Sequence, residues 1–450
     1  MRYYTLFISS SILLILTCLL SSCKSSQNAA QVNRKELTVR SFEDSLSYLL
    51  RTFEEEHHHF CGFVLHDPDS RVSVISHHAD RFFTPASNLK LFTLFASQLI
   101  LADSIPALSY HNRGDSLLIR GTGDPSFMTK NDVDSTVYHF LKERNQDIYF
   151  DASNFKSSRL GSGWAWDDYP NSYQKELSPM PIYGNGTILQ VDSASRSYEV
   201  IPNQNVLLLH TDEQLSRFVK REEQTNTIFI NNDRIPLRDA VIDIPSIMAD
   251  SFFFDQLSHA VSQPIYKTAD KAEDRLFVTL YHDNSDSLYR DLMLRSDNFV
   301  AEQLLLMCAY ERLGYLSTRA IIKEILAQEL ADLEDDIRWV DGSGLSRYSL
   351  ITPRATIAVL DRLSDLLSKQ EISEWFPSND HPESLPSQME GLRINAKTGT
   401  LSNNYNLSGY LMTNSEKPLI FSFMNNHFRS SNAEIAAGMA RILSFIQANY

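Results

Sequence analysis

Apolar side chains cover nearly every face of residues 89–101, a pattern that predicts one helix buried in the core. Pro85 suits the first helical position, because its missing N–H group would lack a partner there in any case. Thr84 is a candidate N-cap, and Pro106 prevents the helix from extending further. The sequence therefore predicts a core helix that begins at Pro85.

The apolar pattern elsewhere predicts a hairpin before this helix and many short strands after it. Apolar strings at 60–65 and 71–76 are joined by turn residues and predict the hairpin. From Leu108 to about Ile244, short apolar strings alternate with turn clusters, which is typical of an insert of mainly short strands. The other predicted elements are helices at 286–294, 299–306, 352–367 and 432–449 and strands at 393–400, 405–412 and 418–425.

The composition is that of a globular protein larger than one ordinary domain. The chain has 450 residues, of which 43% are hydrophobic and 11% aromatic, so it can bury a sizeable core. Its formal net charge is −15 at pH 7. Because phosphate binding needs a basic face, this acidic balance argues against nucleic acid as a partner.

The N-terminus resembles a bacterial lipoprotein signal. An apolar run over 3–20 leads into a Leu-Ser-Ser-Cys sequence that ends at Cys23 and is similar to a lipobox. The resemblance implies a signal peptide at 1–22, cleavage before Cys23, a lipid on the Cys23 thiol and a flexible tether over 23–36. We then expect an exported protein, anchored through its lipid in the bacterial cell envelope and facing the periplasm. An ordinary signal peptide or an anchor helix is the alternative.

The cysteines and histidines predict neither a disulfide framework nor a metal centre. Only Cys61 and Cys308 remain in the folded part, where a single disulfide is open but not indicated. Three consecutive histidines, 57–59, cannot all face one ion from a helix end, and no carboxylate or cysteine spacing supports a site around them. We therefore expect no metal.

Two polar side chains, Ser87 and Lys90, interrupt the buried helix. Three residues apart on a helix, they lie one turn apart on the same side, so that Lys90 Nζ can approach Ser87 Oγ. A lysine in an apolar cleft loses part of its preference for the charged form and can accept the serine proton. A nucleophile beside its base is one interpretation of this pair, and a capped core helix is the other.

Two further polar motifs bear on that choice. A Ser-Asp-Asn sequence at 296–298 precedes a second strongly apolar helix, and a Lys-Thr-Gly sequence at 397–399 lies at the end of a strand. A helix cap would explain the first motif alone. Together with the Ser-x-x-Lys pair, the two motifs form the ordered set that is typical of penicillin-binding proteins and β-lactamases. The ordered set favours Ser87 as a nucleophile.

By itself, the Gly-Thr-Gly-Asp-Pro sequence at 121–125 predicts a tight turn rather than a phosphate-binding loop, because no Lys-Ser/Thr ending follows it. Together with the stretches 296–302, 341–347 and 396–401, it resembles the S13 peptidases, the class C low-molecular-mass penicillin-binding proteins. This resemblance extends from about residue 40 to about residue 445.

This resemblance implies an α+β fold. The catalytic domain would be of the penicillin-binding protein or β-lactamase type (a DD-peptidase domain), with an antiparallel sheet packed on helices and the site between them. We expect its two segments at 37–107 and 241–450. An inserted, mainly β accessory region would occupy 108–240.

The resemblance also implies a role for each site residue. Ser87 would attack the carbonyl between two D-alanines, and Lys90 would take its proton. Ser296, together with Lys397, would carry a proton towards the leaving amine. Asn298 would bind the amide of the substrate.

The strand side of the site would hold the substrate. Lys397 is a cation suited to the terminal carboxylate of the substrate, with Thr398, Gly399 and Thr400 beside it. The two threonines offer hydroxyl groups, and the oxyanion is expected between the N–H groups of Ser87 and Thr400. No metal or organic cofactor is needed for this chemistry.

The implied function is hydrolysis of D-alanyl-D-alanine bonds in the stem peptides of peptidoglycan, as a carboxypeptidase and as an endopeptidase. β-Lactam antibiotics are expected to bind at the same site. The stretch 383–395 before Lys397 is compact, which bears on whether the bulkier cross-linked substrate can enter. The alternatives are a cell-wall-binding protein that has lost turnover and a β-lactamase. The sequence predicts no oligomeric state.

Overall fold

The computed structural model describes residues 42–101, 103–129, 135–202, 209–269, 273–283, 285–381 and 385–450. The predicted signal peptide, Cys23 and the tether lie outside these residues. Within the described ranges, no helix is both long and apolar enough to cross a membrane.

Ten α-helices lie in the described part of the chain. Several begin at side-chain caps, for example α6, where the Asp297 carboxylate accepts the Val300 N–H, and α10, where Ser431 and Glu434 form a capping box. The helices are α1 (42–57), α2 (Lys90–Ile100), α3 (Thr136–Lys142), α4 (Asp250–Val261), α5 (Ser285–Met293), α6 (Asn298–Leu313), α7 (Thr318–Gln328), α8 (Pro353–Leu366), α9 (Lys369–Trp375) and α10 (Asn432–Asn449).

Sixteen strands in the described residues form four sheets. The strands are β1 (Phe60–Asp67), β2 (Val72–His77), β3 (Ile105–Asn112), β4 (Ser116–Gly121), β5 (Asp147–Phe150), β6 (Gly186–Asp192), β7 (Ser197–Ile201), β8 (Leu209–Thr211), β9 (Val219–Arg221), β10 (Ile228–Ile230), β11 (Ala240–Pro245), β12 (Ile265–Lys267), β13 (Val278–His282), β14 (Ile394–Leu401), β15 (Asn404–Met412) and β16 (Pro418–Asn426).

A five-stranded antiparallel sheet, in the order β14-β15-β16-β1-β2, forms the centre of the catalytic part. Because side chains alternate between the faces of a strand, both faces of β1 are used. Phe63 and Leu65 enter a core with α1 and α10, whereas Val64 enters a core with α2, α6 and α8. The sheet is thus covered by helices on both sides, and the predicted α+β fold is confirmed.

The predicted start of the Ser87 helix is wrong. Residues Ala86–Leu89 form a 3-10 turn after Pro85, without a side-chain cap from Thr84, and the α-helix begins only at Lys90. Ala86 has a φ of 48°, in the left-handed region that a right-handed helix cannot contain. The serine therefore lies on a tight turn that leads into the buried helix.

The inserted region consists of the other three sheets. Its largest sheet is mixed, in the order β12-β5-β4-β3-β13. Two three-stranded sheets, β8-β10-β9 and β11-β6-β7, lie between its strands in the sequence. In the largest sheet, β12 pairs with β5 and β13 pairs with β3. The sheet therefore extends to residue 282, past the expected boundary at residue 240. The division of the chain into domains stays a prediction.

The inserted region contacts the catalytic part at α6. The 121–125 sequence begins at the last residue of β4, and the Gly123 carbonyl accepts a hydrogen bond of 2.6 Å from Gln303 Nε2 on α6. The same amide donates to the Ser178 carbonyl at 3.1 Å. The helix that carries Asn298 is therefore bonded to two segments of the inserted region through one side chain.

The two cysteines in the described residues are free and buried. Cys61 lies in the core on the α1 and α10 side of the sheet, whereas Cys308 lies in the core on the other side. They do not form a disulfide.

Candidate active site

Lys90 lies fully buried at the start of α2, one turn after the half-buried Ser87. Its Nζ is 3.0 Å from Ser87 Oγ, 2.7 Å from Asn298 Oδ1 and 2.8 Å from the Ser343 carbonyl oxygen. An ammonium group has three hydrogens to donate, so these three acceptors match it completely. The two motifs, Ser-x-x-Lys and Ser-Asp-Asn, are therefore in contact in the structure.

The environment of Lys90 makes its neutral form easier to reach than in water. Burial lowers the pKa of Lys90 to about 8, although the charges of Asp341, Asp297 and Glu302 oppose this shift. A pKa of about 8 leaves a useful fraction of free amine near neutral pH, which a serine proton can reach at 3.0 Å.

Asn298 is the first residue of α6 and has a partner for each end of its amide. Its Oδ1 accepts from Lys90, and its Nδ2 donates to the Tyr173 carbonyl at 3.0 Å. Ser296 lies two residues earlier, half-buried, with a left-handed backbone at a φ of 56°. The Ser-Asp-Asn motif is therefore both a helix cap, through Asp297, and a wall of the site.

Lys397 lies in β14 and is buried, with its Nζ donating to the Thr398 carbonyl at 3.1 Å. Burial, assisted by the charge of Lys90, holds the pKa of Lys397 well below its ordinary value. Thr398 is half-buried and Thr400 is exposed. The two threonine side chains are thus at least partly exposed to solvent, whereas Lys397 is not.

Gly399 allows β14 to lie directly against the serine turn. A Cβ atom at this position would lie 2.6 Å from the Pro85 carbonyl oxygen and 2.8 Å from the Asn88 nitrogen. Next to it, Asn88 Nδ2 donates to the Lys397 carbonyl at 2.8 Å. The Lys-Thr-Gly motif and the Ser87 turn are therefore in direct contact, and glycine is required there for space.

Sequence reasoning missed Asn406, which holds the serine turn from β15. Its Nδ2 donates to the Thr84 and Pro85 carbonyl oxygens, at 3.0 and 2.8 Å, and its Oδ1 accepts from the Asn425 N–H at 3.0 Å. It pairs with Gly399 in the strand register. A buried asparagine between Tyr405 and Leu407 of the strand was the signal that could have indicated it.

The loop 341–347 provides the backbone carbonyl that binds Lys90, a role that the sequence analysis did not predict. Asp341 accepts hydrogen bonds from the Gly344 and Ser346 N–H groups, at 3.1 and 2.7 Å, and from Trp164 Nε1 at 2.9 Å. Glu302 Oε1 accepts from the Ser343 N–H at 2.8 Å. This loop thereby presents the Ser343 carbonyl to Lys90.

The carboxyl groups of Glu302 and Asp341 are both buried in the region that holds the Ser343 carbonyl. Burial and the charge of Asp341 raise the pKa of Glu302 to about 7. Burial likewise raises the pKa of Asp341 above its ordinary value. The pair therefore keeps some negative charge under Lys90, which limits how far burial can lower the pKa of Lys90.

A serine beside a buried lysine, with an amide on one side and a second lysine on the facing strand, is the arrangement of a serine acyl-transfer enzyme. The sequence profile of the D-Ala-D-Ala carboxypeptidase 3 (S13) family matches residues 43–446, and the chain belongs to this family. It is a serine-type D-alanyl-D-alanine carboxypeptidase, a hydrolase. The resemblance noted in the sequence is confirmed, and the binding-protein and β-lactamase alternatives are not favoured.

Individual relatives agree with this assignment. The D-alanyl-D-alanine carboxypeptidase DacB of Haemophilus influenzae is 23% identical over 416 residues, which cover 81% of this chain and 85% of the relative. The D-alanyl-D-alanine carboxypeptidase of Actinomadura sp. (strain R39) is 25% identical over 423 residues, with coverage of 81% and 77%. The crystal structure of penicillin binding protein 4 (dacB) from H. influenzae has a similar fold, with a TM-score of 0.69 at 18% identity and coverage of 88% and 99%.

Proposed function

We propose that the enzyme cleaves D-Ala–D-Ala bonds of peptidoglycan through an acyl-enzyme on Ser87. The observation that carries this proposal is the 3.0 Å contact between Ser87 Oγ and the Nζ of Lys90, whose pKa burial lowers to about 8. The half-buried serine is accessible from the cleft, whereas its base is fully enclosed.

In the acylation step, Ser87 Oγ attacks the carbonyl carbon of the penultimate D-alanine and Lys90 Nζ takes the hydroxyl proton. The carbon–nitrogen bond then breaks. The proton passes from Lys90 through Ser296 and Lys397 to the leaving amine of the terminal D-alanine, so that Lys90 is neutral again. The N–H groups of Ser87 and Thr400 stabilise the oxyanion.

In the deacylation step, water attacks the ester on Ser87. Lys90 accepts a proton from the water and returns it to the Ser87 oxygen as the ester bond breaks. The enzyme is thereby restored.

Lys397 and Asn298 orient the substrate before the reaction. The low pKa of Lys397 reflects its burial and the charge of Lys90, and a bound terminal carboxylate would supply the counter-charge that restores its ammonium form. Thr398, Gly399 and Thr400 complete the strand side, where the substrate's peptide can lie along β14.

β-Lactams would acylate the same serine. A solved structure of the H. influenzae relative is a complex with a novel β-lactam, and this structure matches the present fold with a TM-score of 0.63. A strained lactam needs only the nucleophile, its base and the oxyanion donors. We also infer that the enzyme cuts cross-linked stem peptides as an endopeptidase, since the chemistry is the same and only the leaving amine differs.

Release of D-alanine from muropeptide monomers by the purified enzyme tests this function, and conversion of dimers to monomers tests the endopeptidase part. Ser87→Ala should abolish both activities. Ser97→Ala is the matched control, because this serine of α2 donates to the Thr93 carbonyl outside the site. Equal loss in both variants, or activity that survives Ser87→Ala, would contradict the proposal.

We further propose that the enzyme is exported and held at a membrane of the cell envelope by a lipid on Cys23. The support is the lipobox-like sequence and the polar tether after it. Wild-type protein should incorporate labelled fatty acid and partition into detergent, whereas Cys23→Ser should do neither. Equal labelling of the two would contradict the anchor.

A further inference from the structure

Two histidines and a glutamate come together at the edge of the central sheet, away from the serine site. Glu54 lies near the end of α1, His77 is the last residue of the edge strand β2, and His78 follows it. The exposed fractions of the three side chains are 20%, 17% and 44%, so the cluster is sheltered but open to small solutes.

The distances in this cluster suit a metal ion. One ligand atom from each residue can be chosen so that all three lie within 4.8 Å of one another. His77 Nε2 is 3.2 Å from Glu54 Oε2, and His78 Nδ1 is 3.6 Å from Glu54 Oε1. Tetrahedral zinc, with bonds of about 2.0–2.1 Å to such ligands, separates them by roughly 3.4 Å. The cluster is therefore close to the required geometry without rearrangement of the backbone.

The backbone explains how two adjacent histidines can face one ion. Neighbouring side chains of an extended strand point to opposite faces. His78 has a φ of 47°, in the left-handed region, and its ring centroid lies 4.2 Å from that of His77. A histidine with this backbone is uncommon and costs energy, which is a feature that tends to occur at functional positions.

The carboxylate and one imidazole are already oriented by the backbone of Cys61. The Cys61 N–H donates to Glu54 Oε1 at 3.0 Å, and the Cys61 carbonyl lies 3.0 Å from His78 Nδ1. The bond to Glu54 is of the kind that supports a metal ligand, whereas the His78 bond uses the atom that would bind the ion and breaks on binding. On binding, the ion replaces the proton that Nδ1 shares with the carbonyl, and that proton is released to solvent.

We propose that Glu54, His77 and His78 bind one Zn²⁺ ion. Two imidazole nitrogens and one carboxylate form a common zinc ligand set, and the acidic protein favours cations in general. The ion joins the end of α1 to the edge strand, and His78 begins the segment that leads to the Ser87 turn. The bound ion therefore stabilises this region.

Calorimetric titration of the full chain, purified in detergent and freed of metal with a chelator, tests the proposal with zinc chloride as the probe. We expect one ion per chain and a rise in the midpoint of thermal unfolding, since the ion binds the folded state. His78→Gln and Glu54→Gln should each weaken zinc binding at least about tenfold, because losing a supporting hydrogen bond alone has such an effect. Circular dichroism checks that each variant folds.

His58→Gln is the matched control, since His58 is an exposed histidine of the nearby 57–59 run with a similar left-handed backbone. It should bind zinc as the wild type does. Binding that is lost in His58→Gln but kept in His78→Gln would overturn the assignment. So would a metal-free protein that binds no zinc and whose unfolding midpoint does not change.

Discussion

The pH dependence of acylation follows directly from the burial of Lys90. Only the neutral amine can accept the proton of Ser87, and the pKa of Lys90 is lowered to about 8. With this pKa, the neutral fraction is about 1% at pH 6, about 10% at pH 7 and about half at pH 8. The acylation rate constant at low penicillin concentration should therefore rise roughly 50-fold between pH 6 and pH 8, and then level off.

Stopped-flow labelling with a fluorescent penicillin, from pH 6 to pH 9.5, measures this profile. Asp297→Asn tests its cause, because the charge of Asp297 raises the pKa of Lys90 while an asparagine can still cap α6. The pH midpoint of the acylation rate should move below that of the wild type. Asp69→Asn, in an exposed turn, is the control and should leave it unchanged. A rate that does not change between pH 6 and pH 9, or a midpoint near the ordinary pKa of lysine, would refute the assignment of Lys90 as the base.

Three further substitutions test the roles of three different residues in the site. Lys90→Ala should lower penicillin acylation by about two to four orders of magnitude, the usual contribution of a positioned base, and near-normal labelling would indicate another base. Gly399→Ala should lower both acylation and the free energy of unfolding, the latter by about 1–3 kcal/mol in urea denaturation, because its Cβ would lie 2.6 Å from the Pro85 carbonyl. Asn406→Ala removes two hydrogen bonds to the serine turn and should slow acylation while Lys90 keeps its place, so the pH midpoint of acylation should not move.

Local sequence patterns were sufficient to predict many helices and strands of the catalytic part, although α1, α7 and α9 were not predicted. The helix predicted at 432–449 is found at Asn432–Asn449, because a strong apolar repeat follows a capping box at Ser431. The strand predicted at 418–425 is found at Pro418–Asn426. In both cases the information lies within the element itself.

Tertiary contacts decided what the local pattern did not predict. The α-helix does not begin at Pro85, because Ala86 adopts a left-handed φ in a turn held by Asn406 and packed on Gly344. The carbonyl of Ser343 reaches Lys90 across 253 positions of sequence. No pattern over a few residues can indicate a backbone acceptor from so distant a loop.

The sequence predicted the charged and nucleophilic residues of the candidate site. It did not predict the residues that position them, such as Asn406 and the loop 341–347. Lys90 bonds to Ser87, as the Ser-x-x-Lys spacing predicts, and it also bonds to Asn298, which the sequence analysis did not predict. The roles of Ser296, Lys397, Thr398 and Thr400 stay predictions. The prediction of no metal rested on the histidines at 57–59 alone.

Mass spectrometry of the penicillin-labelled, proteolysed enzyme tests the central claim most directly. The penicilloyl adduct should be found on the peptide that contains Ser87, at that serine alone, and labelling should disappear in Ser87→Ala. An adduct on Ser296, or labelling that survives Ser87→Ala, would contradict the proposal that Ser87 is the nucleophile.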